Sequence, residues 1–276
     1  MKYPVLLPNI FDYPLTYQSS LKLKTGDYVN VPFGRKIITG VVWDKFEQNF
    51  NKKFEIKSVK EKLNIASLKM HTIDFLNWFS QYNLVPLGLA LRLHLLSGNA
   101  IEKQKNIEYQ KYQIQINKEK FHLSDEQEKA FKELIKHDNS FRVHLLQGTT
   151  GSGKTIVYFK AIEKIINQGQ QSLILLPEIG LAGEFEKKFK NFFGFESAVW
   201  HSRITPKRKK VIWSGLSNGE IKVVIGARSA LFLPFKKLGL IVVDEEHDQS
   251  FKQDEGVIYN ARDMAVARAN SENIPI

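Results

Sequence analysis

The eight residues Gly148-Thr149-Thr150-Gly151-Ser152-Gly153-Lys154-Thr155 have the types and spacing of a phosphate cradle, matching G-x-x-x-x-G-K-[ST] at every position. Glycines permit the backbone angles that turn successive N–H groups inward, and a helix N-terminus behind them favours an anion. Lys154 would reach the terminal phosphates of a nucleoside triphosphate, and the Thr155 hydroxyl would ligate Mg²⁺. A second group, Asp244-Glu245-Glu246-His247, closes an apolar run far downstream. Asp244 can hold Mg²⁺ through water, and Glu245 can polarise the water that attacks the γ-phosphate. His247 either couples nucleotide state to a second ligand or satisfies a local hydrogen bond, and its type alone leaves both open. Together these residues spell triphosphate hydrolysis.

That chemistry needs a sheet to hold it. Arg142–Gln147 reads as a short buried parallel strand ahead of the glycine loop. Behind the loop, Ile156, Val157, Phe159, Ala161, Ile162, Ile165 and Ile166 recur at helical spacing until Gly169 supplies a stop. Ser124 and Gln127 form the outer positions of a capping box, and Ala130, Phe131 and Leu134 give that helix its buried face. Strands at Ser172–Pro177, Ala198–Trp200, Val223–Ile225 and Leu240–Val243 alternate with helices through Phe185 and Phe189 and through Val211, Trp213 and Leu216. This rhythm requires a parallel sheet covered by helices, with ligands at the carboxyl ends of its strands. Gly226–Leu231 follows one such strand, so its N–H groups, Arg228 and Ser229 suit a sugar–phosphate backbone. The run Arg203–Lys210 is basic, and reads equally as a solvated helix start.

The first part of the chain has a different pattern. Val5-Leu6-Leu7 is a short strand closed by Pro8, and Tyr28–Val31 and Ile37–Trp43 read as a strand pair around the turn at Gly34-Arg35. Phe54, Ile56 and Ser58 alternate with charged residues as a half-exposed strand would. Helical spacing begins near Met70, with Ile73, Leu76 and Phe79 on one face and a second helix after Pro86. The expected organisation is a small mainly-β domain with helices over 1–100, a polar linker over 101–120 and an α/β domain over 121–276.

The 276 residues carry a formal net charge of +11, which beside a triphosphate site points to a nucleic-acid partner. No apolar run reaches the ~18 residues of a membrane span, and Met1–Val5 is no signal peptide. The absence of cysteine excludes disulfides and thiolate zinc sites in this chain, with cytoplasm the default compartment.

The set Gly148–Thr155, Leu176–Leu181, Gly226–Leu231, Asp244–His247 and Tyr259-Asn260-Ala261-Arg262-Asp263 resembles the PriA (primosomal protein N′) family of replication-restart DNA helicases. The resemblance implies a RecA-like helicase lobe of superfamily two, with ATP and Mg²⁺ as cofactors. Gln127 would read the adenine, and Glu178 and Arg228 would lie in the motor's motif strips. Asp248–Tyr259 matches an aromatic-rich loop that couples DNA binding to hydrolysis through His247, Phe251, Lys252 and Tyr259. That loop carries Val257 and Ile258 where an aromatic and a basic residue are usual. The amino-terminal part resembles a domain that pockets the nascent 3′ end at a stalled fork, with Phe11, Asp12, Tyr13, Gly34 and Lys57 at the pocket positions. An aromatic ring can stack on the terminal base, and a carboxylate can accept from a 3′-hydroxyl and repel a 3′-phosphate. Taken without the family, Phe11 and Tyr13 read simply as core aromatics.

The resemblance further implies forked and single-stranded DNA as ligands, primosome and single-strand-binding proteins as partners, and translocation from 3′ to 5′. Two parts of the family pattern are expected to be missing. The linker is too short for a winged helix, since a domain needs at least ~50 residues. The second motor lobe, with its arginine fingers and zinc-binding cysteines, would lie beyond Ile276. Low turnover is the corollary, since arginine fingers contribute ~10³–10⁵ in rate in other phosphoryl-transfer enzymes. Two rivals stay open: a non-catalytic fork-binding scaffold, for which Lys154 would be dispensable, and a different translocase acting on RNA, for which RNA ends would bind as well as DNA ends.

Overall fold

The computed structural model describes residues 1–44, 56–95, 121–136, 140–149, 151–177 and 182–276. Phe54, the 101–120 linker, Thr150 and Glu178 lie outside them. Two compact units emerge, Met1–Lys105 with Glu255–Ile258, and Asn106–Asp254 with Tyr259–Ile276.

The first unit is built on an antiparallel sheet. Strands β1 (Lys2–Leu6), β2 (Leu15–Gln18), β3 (Tyr28–Phe33), β4 (Lys36–Val42) and β5 (Glu61–Lys62) lie in the order β2-β1-β4-β3-β5. The β3–β4 hairpin turns at Gly34 as its sequence requires, with Phe33 paired to Lys36. Ser58 makes an isolated bridge to Gln18 rather than heading a strand, and the strand in that region falls at β5. One face buries Val5, Leu7, Tyr17, Leu23, Val29, Val31 and Val42. Helix α1 (Met70–Tyr82) buries Ile73, Phe75, Leu76 and Phe79, and α2 (Leu87–Leu95) follows after Pro86. Gly88 is fixed by packing: a Cβ there would stand 2.5 Å from the Asn9 carbonyl oxygen and 2.6 Å from that of Leu7. The loop leading to Phe11 is thereby pressed against the first turn of α2.

The second unit is a parallel sheet between helices. Helix α3 (Asp125–Ile135) opens with the capping box formed by Ser124 and Gln127. It is followed by α4 (Lys154–Asn167), β6 (Gln171–Leu175), α5 (Ala182–Phe193), β7 (Ala198–Trp200), α6 (Pro206–Asn218), β8 (Val223–Gly226) and β9 (Leu238–Val243). Sheet order is β7-β8-β6-β9, all parallel. On one face Phe159 of α4 packs among Phe185, Phe189, Phe192 and Phe193 of α5, with ring centroids 5.3–5.7 Å away. The basic run enters α6, capped by Thr205 with Pro206 at the first helical position. The chain ends on a hairpin of β10 (Lys252–Gln253) and β11 (Tyr259–Asn260), then α7 (Ala261–Glu272).

Arg142–Gln147 is not a strand of this sheet, and Val143 and Leu145 are 60% and 76% exposed. Its backbone bonds go instead to the chain end, His144 N–H to Ile276 O and Ile276 N–H to Arg142 O. The donor of Ile241 in β9 is engaged by Pro275 O, so the edge where the run would pair is partly taken. A run this short, with Arg142, His144 and Gln147 polar, states a strand propensity but not its partner. The three α3 residues expected to be buried, Ala130, Phe131 and Leu134, are only half-buried.

Candidate nucleotide and DNA sites

The glycine loop ends in a helix that no side chain caps. Gly153 stands before α4 with φ +81°, in the left-handed region, and Gly151 has φ +84°. The helix's first N–H groups therefore face the loop. Lys154 Nζ donates back to the Gly148 and Thr149 carbonyls, at 2.7 and 3.4 Å. These neutral acceptors are ones an anionic phosphate would outbid. Gln127 holds the loop from outside: Nε2 donates to Ser152 O at 3.0 Å while Oε1 accepts from Ser124 N–H. Both ends of its amide are thus engaged, one by the capping box and one by the loop.

Asp244 lies at the carboxyl end of β9, its N–H bonded to Leu175 O of β6. One oxygen accepts from Tyr158 Oη at 3.0 Å. Tyr158 was not a sequence candidate; the signal was its place one turn after Lys154 on the same helix. Burial pushes the Tyr158 phenol up and the neighbouring Asp244 carboxylate pushes it further, so it remains a donor. Asp244 itself is raised, first by burial, against which the Tyr158 hydrogen bond acts. Glu245 follows at φ +50°, an uncommon conformation for a side chain of this kind, and His247 Nε2 lies 3.8 Å from its carboxylate. A cavity of about 720 Å³ connects these residues, its lining including Gly148, Thr149, Lys154, Tyr158 and Asp244. Leu145, Leu240, Val242 and Ile276 are among its apolar walls.

In the first unit, Phe11 and Tyr13 stack with centroids 5.5 Å apart and planes 10° from parallel, and Phe33 meets Phe11 edge-on at 6.0 Å. Phe33 brings the Gly34 turn to this group. Asp12 is exposed, with one oxygen accepting from Leu87 N–H at the start of α2, 2.9 Å away. Phe11, Asp12, Tyr13 and Gly34 are thus assembled. Lys57 stands beside β2, where its carbonyl accepts from Gln18 N–H, and none of its described contacts reaches the others.

Comparison with known proteins accounts for both units. Residues 124–273 match the DEAD/DEAH box helicase profile, and residues 3–95 match that of the 3′DNA-binding domain (3′BD). The chain belongs to the DEAD/DEAH box helicase family. The replication restart protein PriA of Rickettsia conorii is 41% identical over 274 residues, 99% of this chain and 41% of that protein. PriA of Helicobacter pylori strain 26695 is 36% identical over 260 residues, 92% of this chain and 38% of the relative. PriA of Haemophilus influenzae is 44% identical over 154 residues, 56% of this chain and 21% of the relative. The chain spans about two-fifths of the length of the first of these relatives. The PriA resemblance read from the motifs therefore stands, as does the pairing of a parallel helicase sheet with a mainly-β domain ahead of it.

Helicases of this family work with ATP and Mg²⁺, and the residues present fit both. An uncapped helix start behind two left-handed glycines suits the phosphates. Thr155 and Asp244 offer the oxygen donors that Mg²⁺ prefers to share with a nucleotide, the ion supplying charge neutralisation at the phosphates when bound. Among the described residues no group of three or more His, Cys, Asp or Glu side chains is arranged to hold a metal ion.

The raised Asp244 carboxyl has a consequence for stability. A group with a folded pKa above its unfolded value contributes stability below the unfolded value, near 3.9, and loses it as pH rises through the folded value. Ionised Asp244 therefore costs stability at neutral pH. Asp244→Asn keeps an acceptor for Tyr158, and we expect it to raise the melting temperature at pH 7.5 while removing Mg²⁺-dependent nucleotide binding. The gain should shrink to nothing near pH 3.5. An Asn variant no more stable than the parent at pH 7.5 would contradict this.

The remaining candidates belong to the helicase unit. Arg228 opens a short 3₁₀ turn (Arg228–Phe232) and donates through Nη1 to Lys252 O. Ser229 Oγ accepts from Trp200 Nε1 at 3.2 Å. Of the proposed coupling loop, Phe251 and Tyr259 are buried at 1% and 3% exposure, so their rings are packed in the fold rather than presented to a ligand. Lys252 is exposed and paired with Asp254 at 3.0 Å.

Proposed function

We propose that the chain is the fork-reading and nucleotide-binding part of an ATP-dependent replication-restart DNA helicase that translocates from 3′ to 5′. The observation that carries this reading is the joining, in one chain, of a 3′DNA-binding domain with a stacked aromatic pair flanking an exposed carboxylate, and a helicase sheet with an uncapped glycine-loop helix. Residues 1–100 form the 3′-end domain and 121–276 one motor lobe, joined by 101–120. Lys154 neutralises phosphate charge, Thr155 and Asp244 hold Mg²⁺, and Glu245 orients the attacking water. Thr150 completes the loop and Gln127 senses the base. Phe11 and Tyr13 stack on the terminal nucleotide while Asp12 accepts from the 3′-hydroxyl. Gly34 and Lys57 border the strand, Arg228 and Ser229 meet its backbone in the motor, and His247, Phe251, Lys252 and Tyr259 link that contact to hydrolysis. Primosome proteins and single-strand-binding protein are the partners, and the cytoplasm is the compartment.

The test is affinity for forked DNA whose leading-strand end carries either a 3′-hydroxyl or a 3′-phosphate. We expect the phosphate to weaken binding at least tenfold, and Asp12→Ala to narrow the difference by loosening only the hydroxyl-ended fork. Equal affinity for both ends would contradict an end-reading pocket, and equal affinity for RNA ends would favour the RNA translocase.

A further inference from the structure

Helix α7 carries two arginines that reach in different directions. Arg262, in its first turn, donates from Nη1 to Glu246 at 3.2 Å and from Nε to Asp263 at 2.9 Å. Arg268, six residues or ~9 Å further along the axis, is fully buried. Its Nη1 and Nη2 donate to the carbonyls of Leu231 and Leu233, the latter at 2.9 Å. The first lies in the turn that begins with Arg228 and Ser229, and the second just past its end. One rigid helix thus connects the Asp244–His247 cluster to the turn that holds Arg228.

The two ends of this connection differ in kind. Arg268 is a buried clamp, and its turn is anchored again where Arg228 meets Lys252 O. The Arg262–Glu246 pair is about 42% and 43% exposed, and pairs of that exposure contribute little to stability. It adjoins Glu245, whose left-handed φ marks the one strained backbone position in the cluster. An ion pair of slight structural value, set between a strained nucleotide-site turn and a helix clamped to the Arg228 turn, is placed to transmit rather than to hold.

We infer that Arg262 is a positioning residue through which the nucleotide state at Asp244–Glu246 biases the DNA-facing turn of Arg228 and Ser229. The inference rests on the helicase reading above and names the regulation of that site. Nucleotide binding that resets the Glu245 conformation moves Glu246, and Arg262 carries that movement into α7. Linkage then requires that DNA alter nucleotide affinity by the same factor as nucleotide alters DNA affinity.

The experiment measures the dissociation constant of forked DNA by fluorescence anisotropy, with and without a non-hydrolysable Mg–ATP analogue. It uses the unmodified chain, Arg262→Gln, Glu246→Arg, Arg262→Glu and the Glu246→Arg/Arg262→Glu double variant. In the unmodified chain the analogue should shift fork affinity about fivefold or more. Arg262→Gln and each single reversal should reduce that shift to less than twofold. In Arg262→Gln, fork affinity without nucleotide, analogue affinity without DNA and the melting temperature should stay near those of the parent. The double reversal should restore most of the shift, which a merely structural pair would not do. Full linkage in Arg262→Gln, or a double reversal that restores nothing, overturns the inference alone. Absence of any nucleotide effect on fork affinity in the unmodified chain also overturns the inference, and an analogue that does not bind at all overturns the helicase reading with it.

Discussion

Lys154→Ala should weaken Mg–ATP binding to this chain by two orders of magnitude or more while leaving forked-DNA binding intact. The ammonium at Nζ now rests on the Gly148 and Thr149 carbonyls, so it is already positioned over the loop it would serve. Removing one preorganised donor to a developing oxyanion costs ~10²–10³ in rate in other enzymes, and a full ammonium on triphosphate charge is expected to matter on at least that scale. Phe11, Asp12 and Tyr13 belong to the other unit, so affinity for a 3′-hydroxyl end should not change. Isothermal titration of both ligands against both proteins checks this. Unchanged Mg–ATP affinity would mean that the loop is not the site, and would favour a scaffold that recognises DNA without using nucleotide.

Arg268→Ala should be the most damaging single change to the stability of the helicase unit. The guanidinium satisfies two main-chain carbonyls, faces Glu272 at 3.6 Å and lies 5.3 Å from the centre of the Phe235 ring. Burial lowers its pKa while Glu272 opposes that shift. Truncation takes the guanidinium donors from Leu231 O and Leu233 O, the latter keeping only Phe235 N–H, and leaves Glu272, 10% exposed, without its cation. Breaking a buried pair in this way costs about 3–5 kcal/mol. Arg268→Lys should recover only part of it, because one ammonium cannot reproduce a two-pronged fork. Urea denaturation followed by circular dichroism reads both values, and a loss below about 1 kcal/mol for the alanine variant would contradict the clamp, since exposed pairs lie in that range.

The phosphate loop, the helix behind it and the acidic cluster after β9 were legible because their signals are local. Glycine spacing, a helical period ending at Gly169 and an apolar run ending in acids each sit within a few turns of chain. The Ser124–Gln127 capping box was legible for the same reason, and β7 falls on the residues its apolar triplet marked. Pairing was not legible. Arg142–Gln147 has strand character, yet its partners are Pro275 and Ile276, more than a hundred residues away. Strand β2 was missed because Leu15-Thr16-Tyr17-Gln18 is too short to announce itself; it forms by lying against β1.

Side-chain roles that arise only on folding were hidden in the same way. Arg268 sits in Ala-Arg-Asp-Met-Ala-Val-Ala-Arg-Ala-Asn-Ser-Glu, where a charged residue reads as surface, and only the carbonyls of a distant turn make its burial tolerable. Phe251 and Tyr259 look like ligands for bases, but Tyr259 packs edge-on against Phe232 at 5.5 Å. The amino-terminal pocket needed the family resemblance. Phe11-Asp12-Tyr13 has no period or spacing of its own, and its geometry depends on Gly88 letting α2 approach the loop.

Mg–ATP turnover, followed as forked DNA with a free 3′-hydroxyl is titrated into the chain with Lys154→Ala as control, decides whether a fork reader is here joined to a single motor lobe. Saturable fork binding with turnover close to that of the control is expected, because the described residues form one parallel helicase sheet. Robust fork-stimulated turnover that disappears in Lys154→Ala would contradict it, by showing that these residues already complete the catalytic site.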